Sequence, residues 1–292
     1  MKLEGQQLGQ CRLLHLLATG GLSDTYLAET MSAPSHPLAS KVLPWPHHLS
    51  STPVIAAAEQ YFFRQVEAIS QLQHPSIVPI YDYGKVTFGD EEYFYLTMPF
   101  FPEGSLKEWR WRRDSRTEQV SPQEVAHLIE QAADALQHAH DRYIIHQHIR
   151  WSNFLVRTNT NSSQLPDVLL TDFVAAEYEK LLLSSRTQQF LGTPLYIAPE
   201  RLKGISVPAS DQYVVATMIY EMLTDRIPFL GKNVEELIYQ LLSTTPEPPS
   251  TFNPQLSKGV DEVLLHALAK RPEDRFASIA EFSRAFQQAL HI

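Results

Sequence analysis

The chain has 292 residues, a formal net charge of −9 and one cysteine. That length allows one large or two small domains, and 43% hydrophobic with 20% charged residues suits a globular core. The negative balance gives no general attraction to nucleic acid or anionic lipid. Cys11 has no partner for an internal disulfide, which fits a reducing compartment. No apolar run approaches the roughly 18 residues that span a bilayer, and no signal-peptide pattern opens the sequence. The expectation is a cytoplasmic protein that meets a membrane only through a partner or a segment outside this sequence.

In chain order, residues 8–31 read as strand, glycine turn, strand, with Gly20 and Gly21 in the turn. LASKV at 38–42 is a strand carrying Lys41, and Pro44–Pro53 is a loop. A helix follows from about Val54 to Gln73, with Phe62, Val66, Ile69 and Leu72 at helical spacing. Strands are expected at Ile77–Tyr83 and Tyr93–Met98. Residues 104–116 interleave Trp109 and Trp111 with Arg110, Arg112 and Arg113. Such a patch can stack on single-stranded nucleic acid. The acidic chain favours the plainer alternative, a short surface helix that buries one tryptophan. Pro122–Arg142 is a strong helix, apolar at Val125, Leu128, Ile129, Ala132, Ala135 and Leu136.

His138, His140, His146 and His148 crowd the end of that helix and the loop beyond it. They lack the cysteine or carboxylate company of a typical zinc site, so a zinc centre is not expected. Residues 143–156, YIIHQHIRWSNFLV, are the organising stretch. Phe154–Val156 and Val168–Leu170 read as two strands joined across a polar loop at 158–166, and the second closes on Asp172. Their ends would present Asn153 and Asp172 together, an amide oxygen and a carboxylate that suit Mg²⁺. No clear element is expected from Glu177 to Phe190. Helices are expected at 234–243, 258–269 and 278–290.

HQHIRWSN at 146–153 resembles the protein-kinase catalytic loop H-R-D-x-x-x-x-N, and Asp172-Phe173-Val174 resembles D-F-G. GTPLYIAPE at 192–200 is similar to G-T-P-x-Y-x-A-P-E. Asp211 and the arginine of KRPEDRF, Arg275, match the family's buried aspartate and the partner of Glu200. The resemblance covers about residues 8–290, and residues 8–31 resemble the opening of bacterial-type serine/threonine kinases. It implies an α+β, bilobal fold: an N-lobe over 1–98 with an antiparallel sheet and one main helix, a hinge at 99–101, and a helical C-lobe over 102–292.

The resemblance also implies site roles. Lys41 becomes the phosphate-binding lysine, and Asn153 and Asp172 the metal ligands. Nucleotide contacts are implied at Ala18, Gly20, Gly21, Thr25, Ala39, Met98, Pro99, Phe101 and Leu155, those at Pro99 and Phe101 through backbone groups. His148, Arg150 and Asn153 fall in the catalytic loop. Gln65, Ile69, Ile80, His146, Phe173, Glu200, Asp211 and Arg275 take structural roles.

Several letters depart from the pattern. Gln147 stands for the arginine and His148 for the catalytic aspartate. Gln65 stands for the helix glutamate that pairs with the lysine, and Glu67 lies roughly 200° around the helix from it. Ser23 and Asp24 put bulk and charge at the glycine turn, and β-branched Val174 resists positive φ. Without Gln147's arginine, phosphorylation at Ser184, Ser185, Thr187 or Thr193 has no reader. The expectation is a pseudokinase with a protein partner, binding ATP and Mg²⁺ weakly or not at all. The alternative is a slow serine/threonine kinase using His148 as base.

Overall fold

The computed structural model describes residues 3–31, 37–46, 53–112, 120–158, 165–183 and 195–290. The chain divides into two compact units: Met1–His74, Val78–Pro102 and Glu177–Thr187 form the first, and Pro75–Ile77, Glu103–Ala176 and Gln188–Ile292 the second. Ser184, Ser185, Thr187 and Thr193 lie outside the described residues.

The first unit is built on a six-stranded antiparallel sheet. Its strands are β1 (Gln7–Leu8), β2 (Cys11–Thr19), β3 (Asp24–Thr30), β4 (Leu38–Pro44), β5 (Asp82–Phe88) and β6 (Glu91–Pro99), in the order β1-β2-β3-β4-β6-β5. β4 is central, and along it only Lys41 and the terminal Pro44 escape full burial. The hydroxyls of Ser40 and Thr97, buried where β4 meets β6, satisfy each other at 3.0 Å. Helix α1 (Pro53–Ser70) buries Phe62, Val66 and Ile69, spaced four and three apart on one face. The strand expected at Ile77–Tyr83 is displaced: β5 begins at Asp82. Pro79 supplies no N–H for a ladder there, and Ile77 makes only an isolated bridge to Leu170.

The second unit contains α2 (Leu106–Arg112), α3 (Pro122–His140), α5 (Pro208–Thr224), α6 (Val234–Ser243), α7 (Lys258–Ala267) and α8 (Ile279–Ala289), with the hairpin β7 (Phe154–Arg157) and β8 (Asp167–Leu170). α3 starts on a capping box: Ser121 accepts from the Glu124 N–H and Glu124 from the Ser121 N–H, with Pro122 in the first turn. Its apolar face packs on α5, α8 and β8. α5 is buried along nearly its whole length. Among the described residues, no helix is long and apolar enough to cross a membrane.

One element was not expected. Helix α4 (Val174–Leu183) follows directly on Phe173, where Glu177 onward had suggested no regular structure. Val174, Tyr178 and Leu181 are all buried, at the i, i+4, i+7 spacing of one helical face. Val174 avoids positive φ by opening this helix, while Asp172 takes the left-handed backbone instead, at φ 75°.

Candidate active site

Asp211 on α5 organises the loop that carries His148. Its carboxylate accepts the backbone N–H of His146 (2.8 Å) and of Gln147 (2.8 Å) and faces His140 Nε2 at 2.9 Å. Burial alone would raise its pKa, but His140 and these other donors prevail and hold it below the usual carboxylate range. The double backbone contact fixes Gln147 in the left-handed region, at φ 61°. The buried His146 ring spans the loop: Nε2 donates to the Thr171 carbonyl at 2.9 Å and Nδ1 accepts the His148 N–H at 3.2 Å. Burial pushes its pKa down, and the Phe173 ring packs against it at a tilt of 55°, with centroids 4.5 Å apart.

At the site itself, Arg150 Nη2 lies 2.8 Å from His148 Nε2. A guanidinium has only donors, so Nε2 is the acceptor and the ring proton sits on Nδ1. Asn153 Nδ2 donates to the His148 carbonyl at 2.8 Å, while its Oδ1 accepts from Ser152 Oγ at 3.3 Å. The β7–β8 ladder pairs Phe154 with Leu170, and the Thr171 N–H reaches the Asn153 carbonyl at 2.8 Å. This brings the backbones of Asn153 and Asp172 to one end of the hairpin.

Two networks hold the loop from outside. Gln147 Oε1 accepts from Arg201 Nη1 at 2.7 Å and from Ser206 Oγ at 2.9 Å. Buried Trp151 donates through Nε1 to Glu221 Oε2 at 2.8 Å. Tyr196 also donates to that oxygen, and Arg110 Nη1 meets Oε1 at 3.1 Å. Burial, followed by the Glu221 carboxylate, pushes the Tyr196 pKa up. Arg110 reaches Asp225 as well, at 3.0 Å, and Arg112 bonds the Glu103 carbonyl. These two arginines of the basic-aromatic patch therefore serve intramolecular contacts. Trp109 is half-buried and Trp111 is 89% exposed. Trp151→Phe is expected to lower stability by about 2 kcal/mol, the loss of a hydrogen bond to a charged group. Urea unfolding followed by circular dichroism measures it.

Arg201, Glu221 and Tyr196 were not singled out from sequence, and Arg110 was read only as part of the basic-aromatic patch. Glu221 had a signal, a lone carboxylate in the apolar run VVATMIYEMLT. Arg201 had none beyond its place next to Glu200.

Glu200 and Arg275 form a bidentate pair at 2.8 Å through both oxygens, with Ser210 Oγ on Oε1 at 2.7 Å. Burial would raise the Glu200 pKa, but Arg275 and Ser210 hold it below the ordinary value.

In the first unit, strand register aligns several of the predicted nucleotide contacts. Ala18 pairs with Thr25, Thr25 with Lys41 and Lys41 with Leu96, while Ala39, two residues from Lys41, pairs with Met98. Paired residues and residues two apart share a sheet face. The glycine turn is closed on itself, the Gly20 N–H donating to the Ser23 carbonyl at 2.7 Å. Gly21 is exposed, and Pro99 ends β6 opposite Leu38, with Phe101 half-buried beyond it. On α1, Gln65 is half-buried and Glu67 exposed, with Ile69 buried on the inner face. Ile80 and, in β7, Leu155 are half-buried.

The protein kinase domain model matches residues 14–290, and the chain belongs to that family. Among curated relatives it is 36% identical to the serine/threonine-protein kinase Pkn1 of Myxococcus xanthus, over 99% of this chain and 39% of the relative. It is 30% identical to PknB of Mycobacterium leprae over 91% of this chain and 40% of the relative. The chain thus spans about two-fifths of the length of the curated relatives it matches. Among solved structures, the kinase domain of Mycobacterium tuberculosis PknI superposes with a TM-score of 0.72 at 25% identity, covering 99% of both chains.

Proposed function

We propose that this chain is a protein-kinase domain impaired in phosphoryl transfer, acting as a regulatory or docking module for a protein partner. The observation that carries this reading is the contact of Arg150 with His148 Nε2. A general base must offer a lone pair to the acceptor hydroxyl. The Nε2 lone pair of His148 is taken by a guanidinium, and Nδ1 bears the proton. Misplacement of such a group by about 1 Å costs roughly 100-fold in rate, and imidazole is longer than the carboxylate it replaces.

Nucleotide binding is retained but weak in this reading. Lys41 would hold ATP phosphates, Asn153 Oδ1 and Asp172 would hold Mg²⁺, and the backbone at Pro99 and Phe101 would hold adenine, with residues 99–101 as hinge between lobes 1–98 and 102–292. Mg²⁺ when bound neutralises phosphate charge. Against tight binding stand the Gly20 N–H, already used within its turn, and Asp24 beside it. A neutral Gln65 also removes a charge-assisted bond worth about 1–3 kcal/mol.

Radiolabelled phosphate transfer to the chain itself or to a generic substrate is expected to match that of an Asp172→Ala control. Transfer that the control abolishes would overturn the reading. It would favour the second one, a slow serine/threonine kinase, which the 36% identity to a protein named as such supports. Thermal shift with millimolar Mg²⁺-ATP is expected to give a small rise; no rise would remove nucleotide from the proposal.

A further inference from the structure

Helix α4 is more than a continuation of the Asp172 segment. From Glu177 onward it belongs to the first unit, where Tyr178 is 2% exposed. The Tyr178 ring meets Phe62 of α1 edge-on, with centroids 6.3 Å apart and planes at 64°. Phe62 in turn packs on Phe94 of β6 (4.9 Å) and on Trp45, just past β4 (5.9 Å). The Tyr178 hydroxyl donates to the carbonyl of Pro44, the last residue of β4. Burial pushes its pKa up to about 12, so it remains a donor at neutral pH. One side chain therefore grips α1 with its ring and β4 with its hydroxyl. These two elements carry Gln65 and Lys41, at the positions where the family places a glutamate–lysine pair.

We infer that Tyr178 is the tether between α1 and β4, taking over the mechanical duty of that ion pair, and that α4 is thereby a built-in latch setting the position of α1. A polar pair across α1 and β4 can open and close with protonation, phosphate or nucleotide. A buried aromatic post with a protonated hydroxyl responds to none of these. The latch holds α1 in one place for as long as α4 is folded, which suits a domain that presents a fixed surface. The inference rests on family membership and on contacts within the first unit, not on the state of His148.

Amide hydrogen exchange on the whole 292-residue chain, without nucleotide, tests it. Tyr178→Ala is expected to speed exchange in α1 around Phe62 by about tenfold or more, together with α4. Loosening of α4 with α1 unchanged would overturn the inference. Tyr178→Phe keeps the ring and removes only the hydroxyl, so it covers the case in which the alanine variant unfolds. Its expected result is roughly tenfold faster exchange of α4 and of the Trp45 amide, with α1 still protected. Wild-type exchange at both places in that variant would equally overturn the inference. In the Tyr178→Ala or, if that unfolds, a Tyr178→Leu background, Gln65→Glu is expected to slow α1 exchange again by supplying Lys41 with its family partner. Failure of that rescue would count against the exchange of duties.

Discussion

Arg275→Ala is expected to lower the stability of the second unit by about 3–5 kcal/mol, the cost of stranding a buried charge. The Arg275 side chain is fully buried, and each of the guanidinium's donor positions is used. Nε donates to the Ala269 carbonyl, Nη1 to Glu200 and the Ala209 carbonyl, and Nη2 to Glu200 and the Lys270 carbonyl. Truncation leaves the Glu200 carboxylate, itself 5% exposed, with Ser210 as its remaining side-chain partner. It also strands the three carbonyls. Urea unfolding should show a lower midpoint at unchanged slope. Arg275→Met combined with Glu200→Gln should cost less than Arg275→Met alone, because no charge is then left buried.

Asp211→Ala is the second large effect, again about 3–5 kcal/mol, since a buried anion leaves three donors behind. The His146 and Gln147 N–H groups would lose their acceptor, and the loop bearing His148 would lose its anchor on α5. The same network makes the fold acid-labile, and the sign follows from the shifts. His146 is buried with a lowered pKa, so the unfolded chain takes its proton first and stability falls as pH drops below about 6.5. Asp211 and Glu200 are also lowered. Their contribution is complete above about pH 4, the ordinary carboxylate range, and is lost as pH falls through their lower folded values. Urea midpoints at pH 7.5, 5.5 and 3.5 should therefore fall in two stages. His146→Gln, which does not titrate, should remove the first.

Much of this was legible in the sequence because the scaffold motifs are local and chemically demanding. Asp211 can do its work only from the buried start of a helix, and Glu200 needs an arginine of fixed reach; both letters stand at readable spacing. The periodicity of α3 and α1 follows from burial of one face. The strand at 77–83 was misplaced because its apolar letters are those of a strand while Pro79 breaks the ladder. Helix α4 was missed for another reason. AAEYEKLLL carries helical spacing, but its apolar face is short and would be marginal alone. It folds because Phe62 and the Pro44 carbonyl, more than a hundred residues away in sequence, complete it.

Sequence by itself determined that the chain is a protein-kinase domain and that His148 lies in HQHIRWSN, the stretch that resembles the family's catalytic loop, because those are statements about which side chains are present. Only the tertiary structure decided what that histidine does with its lone pair, since this depends on a guanidinium two residues on folding back within 2.8 Å. It likewise decided that Gln147 is held by Arg201 and that Glu221 gathers Trp151, Tyr196 and Arg110. Hydrogen bonds reach only about 3 Å. Residues far apart in the chain come within that range only once the backbone has closed around them.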